Sequence, residues 1–406
     1  MKVQSIHLDN FRNYRRFDLE VGPSVNIFFG QNAQGKTNLI EAIYLCACAR
    51  SHRTSKDRDL IYRNKNEMND KKAYYQVFLD YITENGNSEK ESVSIRYEEN
   101  EGKKPKRIAY HNMVPFERFQ DYIGLFNAVI FAPEDLQLVK EGPSVRRRYL
   151  DILISQVKPS YFYNIQRYTR LIIQRNSVIK SIKSQKSGLN ITEEQNIAIS
   201  IWDYPISEIA AKIIADRIYF SKKIKLYAEK NHNQISDNKE NLEIKYKTVS
   251  GILDEEIRKD PYAFEKRIKE NILMKLENTH REDCERGITA TGPHRDDLEL
   301  YLNGENTRIY ASQGQQRSAS LSLKLAEMML LKEETKEMPV LLLDDVFSEL
   351  DAVRRKCLLA NIKDAQVFLT CTDRFYVNSF LLDGFNKDKE INYFEVDNGN
   401  ISQFYA

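Results

Sequence analysis

The stretch Val25–Thr37, with the sequence VNIFFGQNAQGKT, decides the fold of this chain. Residues 30–37 match the phosphate-loop pattern G-x-x-x-x-G-K-[ST] without a mismatch. The residues before this loop are apolar and β-prone, and those after it place apolar side chains at helical spacing, at Leu39, Ile40 and Ile43. A strand, a glycine-rich loop and a helix in this order favour a nucleotide site over an accidental glycine-rich turn.

Each part of the loop has a predicted role in holding phosphate. The glycines allow backbone N–H groups to converge on phosphate oxygens, and the N-terminal end of the following helix attracts the same anion. Lys36 is predicted to reach the β- and γ-phosphates, and the Thr37 hydroxyl is predicted to ligate Mg²⁺. The predicted nucleotide contacts are Gly30, Gln31, Asn32, Ala33, Gln34, Gly35, Lys36 and Thr37.

Composition limits the classes of protein to which the chain can belong. Its 406 residues predict two or three folding units. It carries 61 Lys and Arg against 59 Asp and Glu, so any affinity for DNA must come from a local basic face. No apolar run approaches ~18 residues, and residues 1–20 lack the apolar core of an export signal. The five cysteines have no metal-ligand spacing and predict buried thiols in a reducing cytoplasm.

Hydrophobic periodicity changes twice along the chain. Alternating apolar residues predict strands in the first part, including a hairpin around Asn85-Gly86. From about Pro143, apolar stripes at three- and four-residue steps predict helices and favour a helical bundle over a cofactor site. One of these helices is predicted to begin with Asp260 as the N-cap, and Pro205 is predicted to start or kink another.

Strand patterns return at residues 298–302 and 307–310, and a helix and a fully apolar strand follow them. We therefore predict an α/β fold in which residues 1–142 and 289–406 form one nucleotide-binding domain. Residues 143–288 are predicted to form a helical arm domain inserted between them.

A second candidate element of the nucleotide site ends in two carboxylates. Residues 340–343 are fully apolar, as in a buried parallel strand, and Asp344 and Asp345 follow at the end where α/β sheets place ligands. In a P-loop enzyme, Asp344 would hold Mg²⁺ through water, opposite Thr37, and Asp345 would orient or deprotonate the attacking water. Together with Lys36, these two carboxylates are the predicted catalytic residues, and Thr37 and Asp344 are the predicted metal-binding residues.

A third element precedes the acidic strand by one helix. Residues 312–316 (SQGQQ) are by themselves an ordinary helix N-cap. They resemble the signature of ABC-type ATPases, in which serine and glycine touch the γ-phosphate of ATP bound to the opposite subunit. Residues 348–351 (SELD) resemble the D-loop of the same superfamily. This resemblance adds Ser312, Gly314 and Gln315 to the nucleotide contacts.

Taken together, the motifs resemble the RecF family of bacterial recombination mediators along essentially the whole chain. The further matching segments are residues 10–14 (NFRNY), 51–54 (SHRT), 131–136 (FAPEDL), 146–151 (RRRYLD) and 292–297 (GPHRDD). The resemblance implies an ABC/SMC-type ATPase head with a helical arm, an ATP-dependent homodimer, and weak, DNA-stimulated hydrolysis of ATP with Mg²⁺.

The same resemblance implies that the chain binds DNA duplexes and single/double-strand junctions at gaps. There the family assists the loading of RecA together with RecO and RecR, and it takes part in DNA replication and the SOS response. Two other classes are disfavoured. A transporter ATPase subunit usually carries glycine in place of Ala33 and lacks the long helical insert, and a P-loop kinase or GTPase lacks the signature at Ser312.

Several residues are open to more than one interpretation. Gln137 resembles the Q-loop glutamine of the superfamily, and Thr372 follows the strand after which transporter relatives carry a histidine. His52 and His294 are interpreted as structural rather than catalytic, because no second ligand lies at metal spacing. Residues 146–148, three consecutive arginines, are equally consistent with DNA phosphate contacts and with solvated or intramolecular salt-bridged roles.

Overall fold

The structure is a computed structural model, and it describes residues 1–62, 72–83, 89–184, 191–249, 251, 260–373 and 390–404. The hairpin turn predicted at Asn85-Gly86 lies outside these residues. The strands are β1 (Lys2–Phe11), β2 (Tyr14–Glu20), β3 (Val25–Phe29), β4 (Lys72–Ile82), β5 (Lys90–Asn100), β6 (Lys106–His111), β7 (Val114–Pro115), β8 (Ala128–Phe131), β9 (Leu242–Lys247), β10 (Asp297–Leu302), β11 (Glu305–Asn306), β12 (Val340–Asp344), β13 (Val367–Cys371), β14 (Ile391–Asp397) and β15 (Asn400–Phe404).

The α-helices range from single turns to long rods. They are α1 (Lys36–Cys48), α2 (Phe119–Tyr122), α3 (Gln137–Lys140), α4 (Pro143–Val157), α5 (Pro159–Ser184), α6 (Glu193–Ser200), α7 (Asp203–Ile235), α8 (Pro261–Asn278), α9 (His280–Arg286), α10 (Thr307–Tyr310), α11 (Gln313–Thr335), α12 (Val346–Glu349) and α13 (Ala352–Asn361).

A six-stranded sheet places the phosphate loop beside the acidic strand. Its order is β15-β14-β3-β13-β12-β8, and all neighbours are parallel except β14 and β15. In the centre, Leu369 of β13 pairs with Ile27 on one side and with Leu343 on the other. The carboxyl ends of β3 and β12 therefore meet at one edge of the sheet, separated only by β13. The predicted parallel strand before Asp344 is confirmed.

A second six-stranded sheet is antiparallel and has the order β2-β1-β4-β5-β6-β7. Helix α1 contacts strands of both six-stranded sheets, and most of its side chains are buried. This double contact explains why its sequence is apolar on nearly every side. The helix that follows the phosphate loop is therefore held by the core of the protein on both faces.

The helices predicted from the apolar stripes are confirmed. One stripe of α5 is buried, with Tyr161, Tyr168 and Ile179 fully or almost fully enclosed. Helix α8 begins as predicted, since the Asp260 side chain accepts hydrogen bonds from the N–H groups of Tyr262 and Ala263. Helix α7 begins at Asp203, so Pro205 lies in its first turn, where proline is tolerated.

The predicted strand at residues 307–310 is wrong, because these residues form the helical turn α10. The Asn306 side chain accepts a hydrogen bond from the Arg308 N–H and caps this turn. The Thr307 hydroxyl donates to the Leu300 carbonyl at 3.0 Å and anchors it. Local capping by Asn306 therefore outweighs the β-prone composition of the segment.

The segment of residues 292–297 is a centre of buried hydrogen bonds in the helical part of the chain. Arg146 donates from Nε and Nη2 to the two oxygens of Asp297 at 2.9 and 2.8 Å, and its side chain is buried. Arg147 donates from Nη1 to the Asp296 carbonyl at 2.8 Å. Of the two interpretations of the arginine run, the internal one therefore holds for Arg146.

The described residues form two compact units. The first contains residues 1–136, 230–240 and 313–406, and the second contains residues 137–229 and 241–312. Compact units and folding domains need not share their limits, so the domain boundaries at 142/143 and 288/289 stay a prediction.

The described cysteines are free, and four of them are buried as predicted, whereas Cys357 is partly exposed. Among the helices that the structure describes, none combines the length and the apolar character that crossing a membrane requires.

Candidate nucleotide-binding site

The phosphate loop connects β3 to α1 and depends on its two glycines. Gly30 has φ 148°, and a Cβ there would lie 2.4 Å from the Val396 carbonyl oxygen. Gly35 has φ 118°, and a Cβ there would lie 2.3 Å from Asn13 Nδ2. Both backbone conformations disfavour L side chains, and both positions lack room for one. The loop can therefore take this shape only with glycine at its two ends.

Lys36 begins α1 and folds back over the loop. Its ammonium group donates to the carbonyl oxygens of Gly30 at 2.6 Å and Gln31 at 2.7 Å. Burial lowers the pKa of Lys36, and Cys371, Asp345 and Asp344 oppose this shift. An ammonium group held at this position provides a point charge for phosphate oxygens.

Thr37 and Asp344 meet, as the sequence predicts. The Thr37 hydroxyl donates to Asp344 Oδ1 at 2.9 Å, and the Thr370 hydroxyl donates to the same oxygen at 2.7 Å. Burial raises the pKa of Asp344, and these two hydrogen bonds oppose the shift. A hydroxyl and a carboxylate in contact are oxygen ligands that suit Mg²⁺, so the donor set fits this ion.

Asp345 follows Asp344 in a left-handed backbone conformation with φ 51°. Its N–H donates to the Thr370 hydroxyl oxygen at 3.0 Å, and this bond turns the chain out of the strand. Asp345 and Lys36 line the same pocket of about 380 Å³. The pocket is lined by Asn32, Ala33, Gly35, Lys36, Thr37, Asn38, Arg53, Asp344, Asp345, Thr370 and Thr372.

The outer side of the loop is held by residues that the motif does not contain. Asn13 donates from Nδ2 to the Gln34 carbonyl at 3.0 Å and accepts from Asn38 Nδ2 at 2.8 Å. The N–H of Asn398, in the turn between β14 and β15, donates to Gln34 Oε1 at 2.6 Å. Sequence reasoning had only the family match of residues 10–14 to point to Asn13, and it had no signal for the turn.

Arg53 lines the pocket, although sequence reasoning did not assign it to the nucleotide. Its Nη1 donates to Asn38 Oδ1 at 3.0 Å and lies 3.7 Å from the buried carboxylate of Glu41. Glu41 also accepts two hydrogen bonds from Arg12, at 2.8 and 2.7 Å, and one from the Ser51 hydroxyl. The buried Glu41 therefore ties residues 10–14 and 51–54 to the first helix.

The signature residues Ser312, Gly314 and Gln315 stand around the start of α11. Ser312 is exposed and is the last residue of the second unit. Gly314 and Gln315 belong to the first turn of α11 and are not among the described residues that line the pocket. Gln315 donates from Nε2 to Glu240 Oε1 at 3.0 Å. In the described residues of one chain, the phosphate loop and the two acids line the same pocket. Gly314 and Gln315 do not line it.

The two histidines are held inside the protein, and neither belongs to a metal cluster among the described residues. Both ring nitrogens of His52 are buried without a hydrogen-bond partner, and its ring packs edge-on against Tyr44. His294 Nε2 lies 3.0 Å from the Thr289 carbonyl, which can only accept, so Nδ1 accepts from the Tyr168 hydroxyl at 2.6 Å. Burial lowers the pKa of each to about 4, so both are neutral at pH 7.

The comparison with known families agrees with this geometry. The family model described as RecF/RecN/SMC N terminal domain matches residues 2–384. The DNA replication and repair protein RecF of Acetivibrio thermocellus is 41% identical over 374 residues, which are 92% of this chain and 94% of that protein.

This chain belongs to the RecF family.

Solved structures show the same architecture. The RecF family structure described as "recombination mediator protein RecF-ATP in RecFOR pathway" aligns with a TM-score of 0.81 and 33% identity, over 100% of this chain and 98% of that chain. The Smc head bound to the C-terminal winged-helix domain of ScpA aligns with a TM-score of 0.50 and 14% identity, over 100% of this chain and 97% of that chain. The second likeness concerns the fold alone and confirms the predicted SMC-type head.

Proposed function

We propose that this protein is an ATP-dependent DNA-binding clamp of recombinational repair, with weak ATPase activity. The observation that carries the proposal is that Lys36, Thr37, Asp344 and Asp345 line one pocket, although they come from two segments that are distant in the sequence. The RecF relative solved with ATP supports the choice of ATP as the nucleotide.

The side chains divide the chemical work. The loop N–H groups and Lys36 hold the phosphates, while Thr37 and Asp344 hold Mg²⁺, which supplies charge neutralisation at the phosphates when it is bound. Asp345 orients or deprotonates the attacking water. Its carboxylate reaches one methylene less far than a glutamate does, so we expect turnover well below the ~10 s⁻¹ that is typical of enzymes.

The signature residues act between two copies of the chain in this proposal. Ser312, Gly314 and Gln315 complete the ATP site of a second copy, so each copy supplies what the other lacks. The position of Gly314 and Gln315 outside the pocket of their own chain supports this arrangement. Two ATP molecules then stabilise the dimer by binding it better than the separate chains.

The biological setting follows the family. We propose that the dimer binds duplex DNA and single/double-strand junctions at gaps in the cytoplasm. It would act there with RecO, RecR and RecA-type proteins, in DNA replication and the SOS response. The RecF relatives named for DNA replication and repair, and for the RecFOR pathway, support this setting.

Dimerisation and DNA binding under three nucleotide conditions test the proposal. Small-angle scattering with ATP, ADP and no nucleotide measures the mass of the particle, and fluorescence anisotropy with gapped and blunt duplexes measures DNA affinity. We expect a dimer and the tightest binding to gapped DNA with ATP alone, and neither in the Lys36→Ala variant. Lys56→Ala, at an exposed lysine outside the described pocket lining, serves as the matched control. An ATP-loaded wild-type chain that stays monomeric would disprove the clamp.

A further inference from the structure

Arg354 joins the signature loop to the segment after the catalytic acids. It lies in α13, and its side chain is 17% exposed. Its Nη2 donates to the Gly314 carbonyl at 2.7 Å and to the Ser318 hydroxyl at 2.8 Å, and Nε donates to the same hydroxyl at 3.0 Å. On its other side, Nη1 donates to the Asp351 carboxylate.

The partners of Arg354 belong to the two segments whose relative position decides the composite site. Gly314 lies two residues after Ser312, in the first turn of α11. Asp351 ends the segment that follows Asp345, and it also caps α13 by accepting from the Arg354 N–H at 2.9 Å. One guanidinium therefore fixes the start of the signature helix against the end of the acidic segment.

A second arginine makes the reciprocal connection. Arg317, one turn into α11, donates from Nη1 to the Glu349 carbonyl at 3.0 Å. Arg354 donates from α13, directly after the acidic segment, to a backbone carbonyl of α11, and Arg317 donates from α11 to a backbone carbonyl of the acidic segment. Because both arginines donate to backbone carbonyl oxygens, these hydrogen bonds fix the positions of the segments themselves rather than of their side chains.

The geometry requires the shape of arginine as well as its charge. The contacts to Gly314 and Ser318 use Nη2 and Nε of the planar group, and the contact to Asp351 uses Nη1. A lysine ammonium is a point charge on a flexible stem and cannot hold these three partners in fixed directions. Arg354→Lys therefore keeps the charge and loses the connection.

We propose that Arg354 is a positioning residue. It holds the signature loop in the position in which it contacts the nucleotide of a second copy, and it fixes that loop relative to the acids of its own copy. The proposal rests on the ATP-driven dimer of the preceding section. In the absence of Arg354, the phosphate loop still binds ATP, but the signature loop is no longer pre-organised and closure of the dimer costs more. The deficit lies in association, so a higher protein concentration corrects it.

The experiment compares wild type with Arg354→Lys, Arg354→Ala and Lys356→Ala. Lys356 is an exposed cation on the same helix and is the matched control for charge. Binding of a fluorescent ATP analogue to dilute monomer, ATP turnover across a range of protein concentrations, and thermal unfolding are measured for each. Arg354→Ala also removes the cation paired with the Asp351 carboxylate, so Arg354→Lys decides the outcome if the alanine variant fails to fold.

We expect the dilute Arg354→Lys monomer to bind the analogue within about twofold of wild type, since Arg354 is not among the described residues that line the phosphate-loop pocket. The concentration that gives half-maximal turnover rises about tenfold or more, which corresponds to ~1.4 kcal/mol of association free energy, and maximal turnover recovers at high concentration. Lys356→Ala follows wild type.

Three results would overturn the inference. They are a concentration dependence of Arg354→Lys equal to that of wild type, a loss of analogue binding by the Arg354→Lys monomer, and low Arg354→Lys turnover at every protein concentration. If wild-type turnover itself does not depend on concentration and no dimer forms with ATP, the proposed clamp fails and this inference fails with it. The dependence of wild-type turnover on protein concentration is enough to distinguish a failure of the clamp from a failure of this inference alone.

Discussion

The Thr37 hydroxyl donates a hydrogen bond to Asp344 across 2.9 Å, and the two residues are 307 positions apart in the chain. The same carboxylate oxygen accepts a hydrogen bond from Thr370 on β13, the strand that lies between β3 and β12 in the sheet. This contact joins the start of the first helix to the end of the acidic strand. It places a hydroxyl and a carboxylate oxygen side by side, as the proposed Mg²⁺ site requires.

Asp344→Asn removes the charge of this carboxylate. It is expected to lower ATP turnover about a hundredfold, equivalent to ~2.7 kcal/mol of the activation barrier, because Mg²⁺ loses an anionic ligand. Asp345→Asn is expected to lower turnover similarly but to retain Mg²⁺-dependent ATP binding. Turnover and the Mg²⁺ dependence of binding to a fluorescent ATP analogue check both variants. An unchanged Mg²⁺ dependence in Asp344→Asn would contradict the metal assignment.

A side chain at Gly30 is expected to destabilise the first unit. Gly30→Ser places a Cβ 2.4 Å from the Val396 carbonyl oxygen at φ 148°, and we expect a loss of about 2 kcal/mol or more in unfolding free energy. Urea denaturation measures the change. Gly142→Ser is the control, since no atom lies within 4 Å of a Cβ at this helix N-cap, where serine is favoured. Equal effects of the two substitutions would contradict the steric argument.

Loss of the buried Arg146 side chain is expected to destabilise the second unit. Arg146→Ala leaves Asp297 without its paired cation, and we expect a cost of about 3 kcal/mol or more in unfolding free energy. Arg148→Ala, at an exposed position of the same helix, is expected to cost less than about 0.5 kcal/mol. Chemical denaturation compares them. A variant at Arg146 with wild-type stability and a weaker salt dependence of DNA binding would favour a phosphate contact instead.

Acid is expected to destabilise the protein partly through His52. Burial lowers the pKa of His52 from 6.5 to about 4, so between these pH values the unfolded chain binds more protons than the folded chain. The contribution of His52 to stability is therefore complete above pH 6.5 and falls as the pH drops towards 4. His52→Phe keeps a ring against Tyr44 but removes the titration, so its unfolding free energy should fall less steeply between pH 7 and pH 5. Identical pH slopes would refute the assignment.

Much of the nucleotide-binding half was predictable because its signals are local. The glycines, Lys36 and Thr37 stand in one short segment, and the short apolar run before Asp344 is typical of a buried strand. The helical stripes in the middle of the chain were predictable for the same reason. Residues 307–310 were not, because a single capping side chain at Asn306 decided between two conformations of similar composition.

The supporting residues of the site could not be found in the same way. Asn13 and Asn398 lie near opposite ends of the chain, and both form hydrogen bonds with Gln34. Glu41 accepts hydrogen bonds from Arg12 and Ser51 and forms an ion pair with Arg53. Nothing in their spacing connects these residues, since each contact depends on how the sheets and α1 pack. The same holds for Arg146, whose pairing with Asp297 settled an ambiguity that the run of arginines left open.

The amino-acid sequence by itself determined that a phosphate loop and an acidic strand exist, because backbone conformation and strand burial follow from neighbouring residues. Only the tertiary structure decided that Thr370 donates to the same Asp344 oxygen as Thr37, and that Arg354 donates to the Gly314 carbonyl. The order of strands β3, β13 and β12 brings the first set together. Such order is fixed by the packing of whole elements around a common core, which no short stretch of sequence encodes.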